Sequence, residues 1–380
     1  MAQNISFYGS LIADTVRTGA YARALERAVE PGSVVIDLGA GTGIMSLISC
    51  GLGARTVFAI ETDPAIEVAR EIARTNGFED RIEFVARHST AVTLPEAADV
   101  IVSDLHGVLP LYTTHIPSIV DARSRLLRKE GVLIPRMETI RAAVVEAEAL
   151  YRRRIGCWAE QGLGFDLKAA RDLVANTLTR SHFYDSQLLT DSQTVATLDY
   201  RTIEDPNLTA TLSFEVRRDG TAHGVCVWFD SELIDGVGFT NAPGQPETMF
   251  GQGFFALADP VDVTPGDTVD VLVAASLVGG EYIWRWDTTV RRGDEIQASY
   301  RQSTALAAPL TKRLLETNSE SYVPKLNDEG EAVRFGLGLM EGQLSTGEIA
   351  ARLAERLPNG IPPGSDSLHY VVELVRKYAR

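Results

Sequence analysis

Between Ser33 and Pro135 the chain alternates short buried-strand runs with helical runs, and this alternation constrains the fold more than any other feature. The strand-like runs are SVVIDLG, TVFAIE, IEFVAR, ADVIVSD and GVLIP. Between them lie an apolar helix from Ile44 to about Leu52, the amphipathic PAIEVAREIARTNG, and a helix that ends near Leu127. Strands separated by helices build βαβ units, hence an α/β Rossmann-like domain with a mostly parallel sheet covered on both faces. Ligands of such sheets bind at the carboxyl ends of the strands. Asp37, Glu61 and Asp104 each stand at one of those ends.

The pattern changes twice more. A helical stretch through Trp158 to about Leu178 gives way to shorter alternating segments such as TATLSFEVRRDG, AHGVCVWFDSELID and TVDVLVAAS, punctuated by RDG, APGQP, TPGD and VGG. Alternation with frequent turn residues predicts an antiparallel β-barrel or sandwich. At alternating positions within it, Trp284 and Trp286 read as packing residues. Beyond residue 303 the text turns helical: Asn327 or Asp328 can cap one helix, Ser345 with Glu348 forms a capping box before IAARLAERL, and Asp366 opens a last helix. The expected domains are therefore 1–145, 146–303 and a small helical or winged-helix module over 304–380. A chain of 380 residues is long enough for that division.

Composition removes several function classes. The formal charge is −15, from 36 basic and 51 acidic side chains. Such a surface repels nucleic-acid phosphates, and the run Arg152, Arg153 and Arg154 reads as a solvated helix face, so no nucleic-acid partner is expected. Cys50, Cys157 and Cys226 are widely spaced and odd in number, which fits neither a disulfide framework nor a metal knuckle. No apolar run approaches the roughly 18 residues of a membrane span, and the start MAQNISFYGS lacks the form of a signal peptide. A cytoplasmic protein without membrane or metal is the expectation.

The turn in VIDLGAGTGIM carries Asp37, Gly39, Gly41 and Gly43 between a strand and a helix, an arrangement that suits nucleotide binding. Its spacing differs from the GxGxxG of dinucleotide turns, and no GK(S/T) follows to hold a triphosphate. Glu61 ends the next strand, where a carboxylate can accept both hydroxyls of a ribose. This pattern with AIETD resembles the class I S-adenosylmethionine-dependent methyltransferases. DTVRTGAYARAL, GVLIP, WAEQGLGFDL and AHGVCVWFDSEL sharpen the resemblance to protein arginine methyltransferases over roughly residues 7 to 300. The resemblance implies S-adenosylmethionine as methyl donor, with S-adenosylhomocysteine as product. It gives Arg17 the methionine carboxylate and places Tyr8 where the family often has a cofactor-contacting histidine, as a lid or as core packing. Near the adenine the family usually carries a glutamate, whereas this chain has Ser89, Thr90 and Ala91. It also implies a homodimer joined through an arm near residues 164–186.

The acceptor side departs from the family. Arginine methyltransferases grip the guanidinium between two glutamates of one loop in a pattern like SEWMGYxLxxE. Here the loop reads SDLHGVLPLYT, with Asp104 at the first position and Thr113 at the second. The THW element of the barrel is replaced by Thr248, Met249 and Phe250, so Thr113, Met249 and Phe250 become candidate acceptor contacts. Asp104 and His106 are the candidate catalytic residues; His106 either takes a proton from the acceptor or shapes the pocket through hydrogen bonds. His115 and His223 are weaker candidates, and His88 is expected near the adenine. The tail from Tyr322 to Leu357 resembles the PqqD-like winged-helix domains, through Leu326-Asn327, Glu341-Gly342 and Glu348-Ile349, which implies capture of a leader peptide or, alternatively, a helical cap.

These readings converge on a methyltransferase acting on a peptide or protein side chain, at nitrogen rather than oxygen. Three alternatives stay open: a free amino acid or other small molecule as acceptor, arginine held in a rearranged acidic pocket, and a non-catalytic protein that binds cofactor or peptide.

Overall fold

The computed structural model describes residues 5–160, 164–356 and 366–379. Within the WAEQGLGFDL segment, Gln161, Gly162 and Leu163 lie outside them. The chain divides into two compact units, Met1–Pro309 and Leu310–Arg380.

The first unit opens with α1 (Ile5–Ala13) and α2 (Thr15–Ala28). Asp14 separates them because its side chain accepts from the Arg17 amide at 3.0 Å and so caps α2. There follow β1 (Val34–Leu38), α3 (Ile44–Gly51), β2 (Thr56–Ile60), α4 (Ala65–Thr75), β3 (Ile82–Val85), β4 (Ala98–Ser103), α5 (His115–Arg125) and β5 (Leu127–Ile134). The five strands form a parallel sheet in the order β3-β2-β1-β4-β5, as the alternation predicts. Every residue of β1 is buried, which is why VVIDL is a continuous apolar run around its single aspartate. Strand order reverses between β1 and β4, and this switch point opens a crevice beyond their carboxyl ends.

Next come β6 (Met137–Val145), α6 (Glu148–Tyr151), a π-helical turn over Arg152–Gly156, α7 (Cys157–Glu160) and α8 (Lys168–Val174). The remaining strands of the unit are β7 (Leu178–Ser181), β8 (Gln193–Asp199), β9 (Leu208–Glu215), β10 (Gly220–Ile234), β11 (Val237–Thr240), β12 (Gln252–Val263), β13 (Thr268–Val278), β14 (Glu281–Arg292) and β15 (Glu295–Ser303). They form two antiparallel sheets, β7-β12-β10-β6-β8 with β11 beside β10, and β15-β14-β13-β9. Trp286 is wholly buried and its indole N–H donates to the Ala256 carbonyl at 3.0 Å, tying one sheet to the other; Trp284 is buried beside it. Both tryptophans are packing residues.

The division expected at residues 145 and 146 falls elsewhere. β6 pairs with β10 and β8, so the antiparallel region starts at Met137. A single buried cluster runs from Val34 and Ile36 through Ile140 and Val227 to Val273 and Trp286. Apolar contact across the two sheet types makes them one unit.

The second unit contains α9 (Lys312–Thr317), α10 (Asp328–Met340), α11 (Thr346–Arg356) and α12 (Ser367–Tyr378). Asn327 caps α10 through the Gly330 amide at 2.8 Å, and Asp366 caps α12 through His369 at the same distance. Ser345 and Glu348 exchange the reciprocal bonds of a capping box. Ala332, Ile349, Leu353 and Val371 make the core. No strand occurs among the described residues of this unit, so the winged-helix expectation meets its helices without its wing.

Candidate active site

A cavity of about 390 Å³ lies at the carboxyl ends of β1, β2 and β4, a volume within the range of small-molecule sites. At one end is the glycine turn. Gly39 and Gly41 adopt φ of 79° and 53°, a region that penalises side chains, and space forbids them as well. A Cβ on Gly41 would lie 2.5 Å from the Tyr8 ring, and one on Gly39 would collide with Leu105. Tyr8 of α1 and the loop after β4 thus close on bare backbone. Gly43, with φ of 82°, starts α3 but does not border the cavity.

Asp37 anchors this turn. One carboxylate oxygen accepts from the Ser46 amide at 2.9 Å and the Ser46 hydroxyl at 2.7 Å. Burial outweighs those bonds and pushes its pKa up to about 6. Glu61 accepts from the Gly41 amide at 2.9 Å with one oxygen, and from the Thr62 and Asp63 amides at 2.6 and 2.8 Å with the other. Its carboxylate is therefore oriented beside the cavity before any ligand arrives. Burial, with Glu61 and Asp63 nearby, raises the Tyr8 pKa and keeps its hydroxyl protonated. Ser89 and His88 border the cavity and Thr90 does not; Thr90 instead bonds the His88 ring at 2.8 Å.

The other end is built on the loop from Asp104 to Thr114, between β4 and α5. Arg17 donates from Nε to Asp104 Oδ2 at 2.5 Å and also through a terminal nitrogen, and its third nitrogen reaches the Leu11 carbonyl at 3.1 Å. Both partners are nearly buried, at 4% and 8% exposure. Burial favours a neutral carboxyl on Asp104, but Arg17 and His106 overcome it and hold its pKa below the ordinary carboxylate value. The Tyr21 hydroxyl donates to the Ser103 carbonyl at 2.9 Å and lies 3.5 Å from the second Asp104 oxygen. Thr113, at a φ of 39°, borders the cavity together with Tyr112, Thr114 and Phe250. Met249 does not; its amide donates to Asp14 at 2.8 Å and its carbonyl accepts from Arg180.

The His106 ring is wholly buried behind this wall. Its Nδ1 lies 3.5 Å from Asp104 Oδ1 and its Nε2 lies 3.0 Å from Glu138 Oε1. Phe229 and Phe250 pack on the ring. Tyr200 donates its hydroxyl to the other oxygen of Glu138. Burial alone lowers the His106 pKa, but Glu138 and Asp104 reverse this and raise it; the same pairing lowers that of Glu138 against burial. His106 borders the cavity while its ring is covered, and its two carboxylate neighbours favour the charged form. The structure thus places His106 between Asp104 and Glu138 in the cavity wall. His115 bonds the Pro110 carbonyl at 2.8 Å, and burial plus the neighbouring His106 charge lowers its pKa to about 4. His223 lies away from the cavity and bonds the Thr221 carbonyl at 2.8 Å.

Glu138, Tyr200 and Tyr21 were not anticipated from the sequence. A signal for Glu138 existed: it shares a strand face with Ile140, Ala142 and Val144, all core residues, and a carboxylate on such a face requires a partner. Nothing local pointed to Tyr200, which reaches Glu138 from β8's far end.

Known proteins match this framework. The model of the arginine methyltransferase oligomerization subdomain fits residues 137–277, and that of ribosomal protein L11 methyltransferase (PrmA) fits residues 17–151. Human protein arginine N-methyltransferase 2 is 30% identical over 276 residues, covering 68% of this chain and 64% of that protein, so the chain spans less than two thirds of that relative. An arginine N(omega)-methyltransferase of Streptomyces achromogenes subsp. streptozoticus is 27% identical, with 68% and 73% covered. Among solved structures, a Trypanosoma brucei PRMT1 enzyme-prozyme heterotetrameric complex with AdoHcy superposes with a TM-score of 0.72 at 23% identity, over 79% of this chain and 98% of that one. Arabidopsis thaliana protein arginine methyltransferase 10 gives 0.68 at 20% identity, over 79% and 97%. At those identities the structural likeness is one of fold.

Proposed function

We propose, from the premise that this chain belongs to the arginine methyltransferase-like class I S-adenosylmethionine-dependent methyltransferases, that it methylates a nitrogen of a peptide or protein side chain. The observation that carries the reading is that one cavity joins the glycine turn and Glu61 to the Asp104 loop, the continuity that a methyl donor and its acceptor require. The residues fit the donor. The oriented Glu61 carboxylate suits ribose hydroxyls, the bare backbone at Gly39 and Gly41 permits close approach, and the N–H groups of Arg17 suit a carboxylate. When bound, the sulfonium supplies an electrophilic methyl group. The chain then contributes alignment: Tyr8 covers the donor, and Asp104, Thr113 and Phe250 line the path along which an acceptor lone pair approaches.

Homodimerisation through the arm near residues 164–186, leader-peptide capture by the PqqD-like helices after residue 304, and a cytoplasmic location complete the reading. The relatives' names favour a second acceptor, arginine itself. Incubation of the full chain with S-adenosylmethionine and candidate precursor peptides, followed by fragmentation mass spectrometry, tests both. Methyl on a peptide nitrogen supports the first reading, methyl on arginine the second, and methyl on oxygen or on free amino acids alone refutes both.

A further inference from the structure

We infer that Glu138 is a positioning residue for Asp104: acting through His106, it keeps the Asp104 carboxylate charged and in place while Arg17 answers the carboxylate of the methyl donor. This rests on the methyl-transfer reading above and concerns what holds the Asp104 end of the cavity once Arg17 serves two carboxylates.

Arg17 has little to spare. Nε and Nη2 are both directed at Asp104 Oδ2, while Nη1 donates to the Leu11 carbonyl at 3.1 Å and to the Thr18 hydroxyl at 3.3 Å. Of the five N–H groups of a guanidinium, that leaves a single hydrogen on Nη2. A donor carboxylate bound there shares its cation with Asp104 or draws the cation away. Burial favours the neutral form of Asp104, and Arg17 first and His106 second oppose it. Asp37 shows the strength of that tendency in the same cavity, since two bonds from Ser46 still leave its pKa raised to about 6.

His106 supplies a second cation for Asp104. Its Nδ1 lies 3.5 Å from Oδ1, the oxygen that Arg17 leaves. A covered imidazole keeps a charge only where a neighbour repays its lost hydration. Among the groups facing the ring, Arg17 opposes that charge, and the His115 ring, 5.2 Å away with a pKa near 4, stays neutral. Phe229 and Phe250 carry none. The hydroxyls of Tyr21 and Tyr200, on Asp104 and Glu138 respectively, are kept protonated by burial. Glu138, with Oε1 3.0 Å from Nε2, is therefore what makes His106 a lasting counter-charge. It does not border the cavity, so it acts on the site through His106.

The test is calorimetric titration of the full chain with S-adenosylhomocysteine, which retains the donor's carboxylate. Titration at about pH 6.5 in phosphate and in ACES, whose ionisation enthalpies differ, reads the protons taken up on binding. The native chain is expected to take up fewer than about 0.2, because His106 already favours its charged form. In Glu138→Gln, either His106 or Asp104 gains a proton as Arg17 turns to the ligand, and an uptake of about 0.5 or more is expected. The double variant His106→Gln/Glu138→Gln removes both charges together and leaves no orphan; Asp104 then takes the proton itself, with a similar uptake. 5′-Methylthioadenosine, which lacks the carboxylate, is expected to bind all three proteins with fewer than about 0.2 protons, whereas a merely loosened site would respond alike to both ligands. Uptake of about 0.5 or more by the native chain overturns the inference, as does equal uptake by the native chain and the folded variants. Absence of S-adenosylhomocysteine binding to the native chain refutes the methyl-transfer reading itself, and the inference with it.

Discussion

Glu138 and His106 show how a single buried pair sets the character of a site. Each charge would be costly to bury alone, and each group favours the charged form of the other. The raised His106 pKa gives a contribution to stability that is complete below about pH 6.5 and is lost as pH rises through the folded value. The lowered Glu138 pKa gives one complete above about pH 4.3 and lost as pH falls through its folded value. Glu138→Gln is therefore expected to cost about 3–5 kcal/mol near pH 5.5, where both contributions are whole, and less towards alkaline pH. Urea unfolding at about pH 5.5 and 9.5 measures this, and a cost no smaller at the higher pH contradicts it. Asp37, Glu61 and Asp104 were legible as strand-end carboxylates because a short apolar run fixes where a buried strand stops. Glu138 escaped notice because its meaning depends on His106, a neighbour only in three dimensions.

The glycine turn and α1 behave as one element, since the Tyr8 ring occupies the space a Gly41 side chain would need. Gly41→Ala is expected to displace α1, raising amide hydrogen exchange over residues 5–13 and weakening cofactor binding, while exchange in β13 and β14 stays unchanged. Unaltered exchange in α1 would separate the two elements. In the helical unit, Ser345→Ala removes half of a capping box and is expected to cost about 1 kcal/mol, read by thermal unfolding of the full chain. Both the capping box and the parallel strands were legible, because caps and buried runs are written in consecutive residues. The allocation of β6 was not. Its alternating face is decided by pairing with β10 across more than 80 intervening positions, as Cys226 opposite Ala143 illustrates, and no local pattern carries that register.

At the scale of the molecule, the parallel and antiparallel sheets share buried cores, so the cavity's floor and its Phe250 wall belong to one compact unit. The fold class was readable from periodicity, and one end of the cavity from the glycine turn with its carboxylates. The Asp104 end was readable only as a departure from a family pattern, because the ionisation of its side chains depends on burial that a sequence does not display. The homodimer proposed from the arm predicts sedimentation at twice the 41.3 kDa chain mass at micromolar concentration; a species of single-chain mass alone would refute it. The account depends most on the donor site, and calorimetric titration of the full chain with S-adenosylhomocysteine tests that directly. One site per chain is predicted, with affinity falling at least about tenfold in Glu61→Ala, about 1.4 kcal/mol; absence of binding, or an unchanged affinity in that variant, would contradict it.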